Sequence, residues 1–524
     1  MVGRSRALGR QWLDRTTRRR ITFRHNTSLI VPSVPLPHAA TGEVRVQRRR
    51  SHLRALVGAF VIGLTACAQT EKSPEFSLLY NPAAQHHGPD RNPIIAIPGI
   101  LGSKLRDPRT GALAWGAFEE GAADPQDPAG ARQIALPIGA LQALVDLRDN
   151  IVPSGVLDKI HIQLGIVALD IQAYAGILAT LGAGGYRDEG LGLGREVDYG
   201  DDHFTCFQFD YDWRRDNVEN AKRLQEFIAE KRTYVQAQYR RRYGIENADV
   251  KFDIAAHSMG ALLTRYFLMY GGADLPADGA LPPVTWAGAE HVERVILIGP
   301  PNAGSSEALL QLVQGRKFAP LLPFYPPAVL GTFPSIYQLL PRDRHQPLVW
   351  DGNPARPVAN ITDPALWEQN GWGLADPEQA GVLKTLLPDE PDATARRDIA
   401  LAFQRRALLR ARAFQDALDR PAAVPAGLDL FLVAGDAIGT IAQLSVNSTN
   451  GAVTVHSRGP GDGTVLRTSA LLDERAGGDY RPNVDTPIAF RQVLLLPDEH
   501  LQLTRGAVFR DNVLFWLLED KRWH

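Results

Sequence analysis

The chain has 524 residues, of which 44% are hydrophobic and 22% charged, so it is long enough for one large core with insertions or for two or three domains. The formal net charge of −1 hides an asymmetry between the two parts of the chain. Residues 1–54 contain 13 Arg, no Lys and two acidic residues and therefore carry +11, so the remainder carries −12. An acidic remainder without a basic surface that also carries aromatic residues argues against nucleic-acid binding.

The N-terminal region is patterned like an export signal. An Arg-rich stretch precedes the apolar run 55–66, which is too short to span a membrane but suits the apolar core of a signal peptide. The letters LTAC at 64–67 resemble a bacterial lipobox, in which cleavage leaves a lipid-modified cysteine as the first residue. We therefore expect a signal region at 1–66, lipidation of Cys67, a linker at 67–90 and a lipid-anchored position in the cell envelope. A short buried helix is the alternative.

The apolar run starts later than in an ordinary signal peptide, and a translation start at Val44 or Val46 would account for the extra residues. Besides Cys67 the chain has one cysteine, Cys206, so the mature protein can form no intramolecular disulfide. The apolar neighbours of Cys206 predict a buried position in a strand.

Residues 91–524 are predicted to be one α/β unit. Short apolar strands are expected within 91–105, 201–214, 250–255, 291–301, 428–436 and 489–500, with helices within 220–243, 260–270 and 503–519. This alternation is typical of a mostly parallel sheet with helices on both faces. Two Gly- and Pro-rich stretches, about 106–195 and 305–427, interrupt it. Such long stretches are usually functional, and we predict cap insertions over an apolar pocket, with padding of the core as the alternative.

The segment "KFDIAAHSMGALLTRYFLMY" (251–270) carries the first chemical signal, a serine between a predicted strand and a predicted helix. In an α/β hydrolase the nucleophile occupies such a turn, and the residues two before and two after it must be small. Ala256 and Gly260 meet that requirement. Ser258 is therefore the candidate nucleophile, and the N–H of Met259 is expected to face an oxyanion. An ordinary helix-capping serine is the alternative.

A nucleophilic serine needs a base and an orienting carboxylate, which follow it in the order acid, then histidine, in this fold. Among the later histidines, His500 alone follows an apolar strand and precedes an apolar helix near the chain end. Two carboxylates compete as the acid. Asp436 ends a predicted strand and Asp462 lies in the turn "GPGDGTV", and the pattern alone does not choose between them.

Six motifs in order, "IPGILGSKL", "FDYDWR", "AHSMG", "LIGPPNAGS", "GDGTVLRTSAL" and "PDEHLQL", resemble the lecithin:cholesterol acyltransferase family, which includes lysosomal phospholipase A2. The resemblance extends from about residue 93 to 515. It implies the α/β-hydrolase fold and a triad of Ser258, Asp462 and His500. It also implies that the loop after the first strand supplies the second oxyanion N–H at Ile100, with Leu101 as the neighbouring candidate. In "YDWR", Asp212 and Arg214 are expected to form a structural ion pair.

The expected activity is serine-dependent acyl transfer from a long-chain glycerolipid ester, with a phospholipid or other glycerolipid as substrate at a membrane surface. A simple lipase or carboxylesterase, or a non-catalytic lipid-binding envelope protein, is the alternative. The acyl acceptor, water or a lipid alcohol, is left open because both reactions use the same residues. No HExxH or paired CxxC motif occurs, so no metal or other cofactor is expected. Nothing in the sequence indicates an oligomeric state.

Overall fold

A computed structural model describes residues 74–118, 124–139, 143–157, 159–164, 167–172, 174–276, 280–317 and 323–522. Cys67 and the predicted signal region lie outside these residues. Within the described ranges, no helix is both long and apolar enough to cross a membrane.

Seventeen strands are described: β1 (Ile94–Ile97), β2 (Ser103–Arg106), β3 (Leu113–Trp115), β4 (Ala117–Phe118), β5 (Val152–Val156), β6 (Lys159–Leu164), β7 (Val167–Gln172), β8 (Cys206–Gln208), β9 (Phe252–His257), β10 (Val292–Ile298), β11 (Arg316–Lys317), β12 (Phe324–Tyr325), β13 (Leu348–Trp350), β14 (Asp429–Gly435), β15 (Ile438–Val446), β16 (Val453–Gly461) and β17 (Phe490–Leu496).

The described α-helices are α1 (Phe76–Leu79), α2 (Asn81–Gln85), α3 (Pro128–Ile134), α4 (Ala175–Ala183), α5 (Glu189–Leu193), α6 (Asn217–Tyr243), α7 (Met259–Tyr270), α8 (Ser306–Gln314), α9 (Pro327–Leu330), α10 (Pro334–Tyr337), α11 (Pro364–Asn370), α12 (Ala380–Leu386), α13 (Ala393–Leu418), α14 (Arg467–Leu471) and α15 (Ala507–Leu518).

The central sheet has six strands in the order β17-β14-β10-β9-β1-β8, and every neighbouring pair is parallel. Strands β1, β9 and β10 are buried along their whole length. They read as continuous apolar runs because a parallel sheet is covered on both faces. Each strand the sequence predicted in this sheet is present, and the expectation of a mostly parallel sheet is confirmed.

Helices cover both faces, as predicted. Along β1, Ile95 and Ile97 face a core that includes apolar residues of α6 and α7. Ile94 and Ala96 face a second core that includes apolar residues of α4 and α15. Alternate residues of one strand thus belong to different cores, as the period of two along a strand requires. The six-stranded parallel sheet with helices on both faces is an α/β-hydrolase fold.

The segment "FYPPAVLGTFPSIYQLL" (324–340) contributes large aromatic side chains to the core. Tyr325, Phe333 and Tyr337 are fully buried members of the main core. The ring of Phe333 packs edge-on against Trp213, and that of Tyr325 against Trp115. For these described residues the contacts favour the alternative, padding of the core, and the cap insertions stay a prediction. Their aromatic rings complete the core beside the sheet.

The "YDWR" motif forms a buried ion pair. Arg214 donates to both carboxylate oxygens of Asp212, at 2.9 and 2.7 Å, and also lies 2.8 Å from Asp149. Both paired side chains are almost completely buried. Burial alone would raise the pKa of Asp212, but the positive charge and hydrogen bonds of Arg214 outweigh it and hold the pKa below its usual value. Because both side chains lie in the core, we interpret the pair as structural, as predicted.

We expect Asp212→Asn to lower the free energy of unfolding by about 3–5 kcal/mol, since it leaves the buried Arg214 charge incompletely compensated. Urea denaturation measures this change. Asp107→Asn is the matched control, because the Asp107–Arg109 pair has the same spacing but its arginine is 66% exposed. Equal effects of the two substitutions would contradict the assignment.

Candidate active site

Ser258 lies in a strained turn between β9 and α7. Its φ of 54° and ψ of −126° are unfavourable for any residue with a side chain. The Ser258 N–H donates to the Ile298 carbonyl at 2.8 Å, which ties the turn to the end of β10. This is the strand-to-helix geometry that the sequence predicted for a nucleophile.

Two glycines make room for the turn. A Cβ on Gly260 would lie 2.2 Å from the Pro98 carbonyl oxygen, and a Cβ on Gly99 would lie 2.6 Å from the Ser258 Cβ. Both distances are too short for real side chains. The small residue that the sequence required at position 260 is therefore needed because the loop after β1 passes directly over the start of α7.

The structure brings Ser258, His500 and Asp462 into one chain of hydrogen bonds. The Ser258 Oγ lies 2.9 Å from the His500 Nε2, and the His500 Nδ1 lies 2.7 Å from the Asp462 Oδ2. These residues follow the C-terminal ends of β9, β17 and the β15–β16 hairpin. The site thus occupies the edge of the sheet at which open α/β folds bind their ligands.

Asp462 is held as a carboxylate. It is 2% exposed, and its Oδ1 accepts hydrogen bonds from the N–H groups of Thr464 and Val465 at 2.9 and 2.7 Å. Burial raises its pKa, but the charge of a protonated His500 and the hydrogen bonds from His500 and the two amides lower it more, so the pKa lies below its usual value. An ionised, fixed carboxylate is suited to orient an imidazole.

The structure also explains why two aspartates competed as the acid. Strands β15 and β16 form an antiparallel hairpin that leaves the end of β14 and returns to it. A Cβ on Gly435 would lie 2.5 Å from the Asp462 Cβ, so Asp462 lies beside the end of β14. Asp436 follows the same strand, but its partly exposed carboxylate lies 3.8 Å from Arg467. Of the two, Asp462 contacts His500.

Both predicted oxyanion residues lie beside Ser258. Met259 is the first residue of α7, where backbone N–H groups have no partner within the helix. Ile100 and Leu101 are the central residues of a turn closed by the Gly102 N–H, which donates to the Gly99 carbonyl at 3.1 Å. Leu101 has a φ of 64°, so this turn is strained as well.

Two residues at the site escaped the sequence analysis. Tyr174 is hydrogen-bonded to both the Gly99 N–H and the His257 ring, and both of these side chains are buried. The position of His257 directly before the serine was a signal that could have marked it. Tyr174 lies in the Gly-rich stretch 106–195 and has no motif of its own.

No group of three or more His, Cys, Asp or Glu residues among those described is arranged to hold a metal ion. The described cysteine, Cys206, is buried as a free thiol in β8, as predicted. The arrangement at Ser258 can perform nucleophilic attack with proton transfer using side chains alone.

Comparison with known families identifies the matched part of the chain. The sequence model of the lecithin:cholesterol acyltransferase family matches residues 198–370, which include Ser258. The predicted resemblance to this family is confirmed over that segment. Asp462 and His500 lie beyond it. The family match supports an enzyme of the lipid acyltransferase or lipid hydrolase kind.

Solved structures with detectable similarity include the Tle4–Tli4 complex, at 14% identity and a TM-score of 0.49, covering 83% of this chain and 99% of that chain. The mature form of Bacillus licheniformis lipase BlEst2 matches at 13% identity and a TM-score of 0.26, covering 83% of this chain and 95% of that chain. No curated protein sequence matches this chain significantly. At these low scores the fold assignment rests on the sheet topology described above.

Proposed function

We propose that this protein transfers acyl groups from long-chain glycerolipid esters through a covalent intermediate on Ser258. The observation that carries the proposal is the hydrogen-bonded chain from the Ser258 Oγ through His500 to the buried Asp462 carboxylate. The family match to residues 198–370 supports a lipid ester as the substrate class.

In the first half-reaction, the His500 Nε2 takes the Ser258 proton while Oγ forms a bond to the ester carbonyl carbon. Asp462 accepts from the His500 Nδ1 and stabilises the imidazolium that results. Collapse of the tetrahedral intermediate breaks the ester bond, and His500 returns its proton to the departing alcohol. The acyl group then remains on Ser258.

The N–H groups of Met259 and Ile100 stabilise the oxyanion, and each such donor typically contributes about 10²–10³ in rate.

The surroundings of Ser258 suit an acyl chain. Ile100 and Leu101 are partly exposed in the turn beside it, and Leu501, which follows the base, is 39% exposed. These apolar side chains provide a surface next to the nucleophile that a lipid tail can contact without loss of polar hydration.

In the second half-reaction, His500 removes a proton from the acceptor, whose oxygen attacks the acyl carbon. A lipid alcohol as acceptor makes the protein an acyltransferase, and water makes it a phospholipase or lipase. We favour a zwitterionic phospholipid or neutral acylglycerol as donor, because residues 55–524 carry −12 and offer no broad basic field for an anionic lipid.

We further propose that the mature chain begins at Cys67 and is anchored to the cell envelope by acyl chains on that residue. The support is the lipobox-like LTAC sequence after the apolar run 55–66. Each buried CH₂ contributes about 0.8 kcal/mol, so stable anchoring takes more than one chain. Such an anchor keeps the active site beside its lipid substrate.

A fluorophosphonate probe should label the wild-type protein and leave Ser258→Ala unlabelled, because the probe reacts with an activated serine Oγ. Ser335→Ala is the control, since this serine is also buried but donates its hydroxyl to the Trp213 carbonyl at 2.6 Å. Labelling is measured by in-gel fluorescence. Equal labelling of Ser258→Ala and the wild type would remove the proposed mechanism.

Asp462→Asn should lower kcat on a short-chain aryl ester by about 10⁴-fold, because an amide cannot hold the imidazole in the required tautomer. Asp436→Asn should retain nearly full activity, since its carboxylate lies near Arg467 rather than His500. Steady-state kinetics of the two variants decide between the aspartates. The reverse ranking would assign the acid to Asp436.

Protein lacking residues 1–67 should release fatty acid from radiolabelled phosphatidylcholine vesicles and form a new ester when a sterol or diacylglycerol is added. Thin-layer chromatography separates the products, and Ser258→Ala provides the blank. Fatty acid without new ester in every mixture would show that the protein is a phospholipase. Turnover of short soluble esters with no action on vesicles would reduce the assignment to a carboxylesterase.

Cys67→Ser expressed in a bacterial host should stay unprocessed or leave the membrane fraction, because serine provides no thiol for lipidation. Cys206→Ser is the matched control and should sediment with membranes as the wild type does. Fractionation, with mass spectrometry of the N-terminal peptide, measures the outcome. A Cys67→Ser protein that is still cleaved and still membrane-bound would refute the anchor.

A further inference from the structure

Three loops meet at Ser258, and a buried pair of side chains connects them. The Gly99 N–H donates to the Tyr174 Oη at 2.7 Å, and the Tyr174 hydroxyl lies 3.1 Å from the His257 Nδ1. The His257 Nε2 lies 3.1 Å from the His500 carbonyl oxygen. This chain of contacts runs from the turn 99–102 past the nucleophile to the base. We call it the Tyr174 relay.

The two groups at the ends of the relay, the Gly99 N–H and the His500 carbonyl, determine the direction of every hydrogen bond in it. An amide can only donate and a carbonyl can only accept. The Tyr174 hydroxyl accepts from Gly99, so its single proton is available to the His257 Nδ1. The Nδ1 must then be unprotonated, and the ring proton lies on Nε2, from which it is donated to the His500 carbonyl. A neutral His257 satisfies all four groups.

Burial keeps His257 in that neutral form. Desolvation, together with the nearby His500, lowers the pKa of His257 to about 3, although the hydrogen bond to the His500 carbonyl and the charge of Asp462 act in the opposite direction. Burial likewise raises the pKa of Tyr174 well above its usual value, so the hydroxyl keeps its proton. The relay therefore keeps one arrangement of protons near neutral pH.

Packing supports the same connections. The rings of Tyr174 and His257 meet edge-on with centroids 5.4 Å apart, and His257 and His500 lie 4.7 Å apart. A Cβ on Gly102 would lie 2.7 Å from the Tyr174 ring, so this ring also contacts the turn that carries Ile100. The His500 N–H donates to the Asp462 carbonyl at 2.9 Å, which holds the histidine backbone on the side away from His257.

We infer that Tyr174 and His257 are positioning residues, which hold the turn 99–102 and the backbone of His500 in register with Ser258. This inference rests on the proposed function. Neither side chain reaches the reacting atoms. Each acts through a neighbour, Tyr174 through the oxyanion turn and His257 through the base, and a misplacement of about 1 Å at such groups costs about 10²-fold in rate.

The first test is Tyr174→Phe, which removes the hydroxyl and keeps the ring. We expect kcat on a short-chain aryl ester to fall about 10- to 100-fold with KM nearly unchanged, because the oxyanion contact forms in the transition state and not with the bound ester. Tyr337→Phe is the control, since that hydroxyl is also fully buried and donates to a backbone carbonyl, that of Gly331, at 3.0 Å.

Thermal unfolding separates positioning from stability. Tyr174→Phe leaves the Gly99 N–H and the His257 Nδ1 without this partner, and Tyr337→Phe does the same to the Gly331 carbonyl. We expect both variants to melt at a lower temperature than the wild type, but a loss of kcat in Tyr174→Phe alone. Wild-type kcat in Tyr174→Phe, or an equal loss of kcat in Tyr337→Phe, would overturn the inference. A wild-type protein that neither reacts with the fluorophosphonate probe nor cleaves the ester would instead remove the proposed function itself.

A double-mutant cycle tests whether the two residues act as one unit. The variant Tyr174→Phe/His257→Leu should lose less kcat than the product of the two single losses, because each side chain is oriented by its hydrogen bond to the other. Losses that multiply would show independent roles and overturn the relay. Should Tyr174→Phe fail to fold, His257→Asn replaces it. The amide oxygen of this asparagine can accept from Tyr174, but the side chain is too short to reach the His500 carbonyl. Wild-type kcat in His257→Asn would therefore also overturn the inference.

Discussion

The conformation of Ser258 is the constraint on which the rest of the site depends. A φ of 54° on a residue with a side chain is retained only where its surroundings leave no alternative. Here the turn is enclosed by the end of β10, which accepts the Ser258 N–H, and by the loop after β1, which crosses the start of α7 at Gly260. The strain presents Oγ to His500, and the same close approach brings the oxyanion turn within reach. The same enclosed turn therefore fixes the position of the Ser258 Oγ and its contact with His500.

The parallel sheet explains how residues far apart in the chain converge. All six strands end at one edge, so the segments that follow β1, β9, β14 and β17 bring together the turn 99–102, Ser258, Asp462 and His500. The acid reaches this edge by a longer path, because the β15–β16 hairpin separates Asp462 from β14 in sequence and returns it to the same strand end. The Thr464 and Val465 amides bind one oxygen of its carboxylate, and the other oxygen is hydrogen-bonded to the His500 imidazole.

Several large aromatic side chains among the described residues are buried in the core. Phe333 packs edge-on against Trp213, which lies between Asp212 and Arg214 in the chain, and Tyr325 packs edge-on against Trp115. A charge pair buried at this depth contributes little net stability but strongly opposes any arrangement that separates it. The core beside β8 is therefore specified by polar as well as apolar contacts. The partly exposed side chains of Ile100 and Leu101, in the turn beside Ser258, are aliphatic instead.

The sequence by itself determined the parallel sheet and the turn at Ser258 and singled out His500 as the candidate base, because apolar periodicity, small residues and chain order can be read along the chain. It left Asp436 and Asp462 as equal candidates until the family resemblance favoured Asp462, since both follow the same strand and only the path of a hairpin separates them. It left open whether the aromatic segment near 324–340 lines a pocket or pads the core, because composition alone cannot distinguish a ring that faces a pocket from one that faces the core. It gave no sign of Tyr174. That residue contacts Gly99 and His257 only after the Gly-rich stretch folds over the sheet edge, and contacts between distant segments exist only in the tertiary structure.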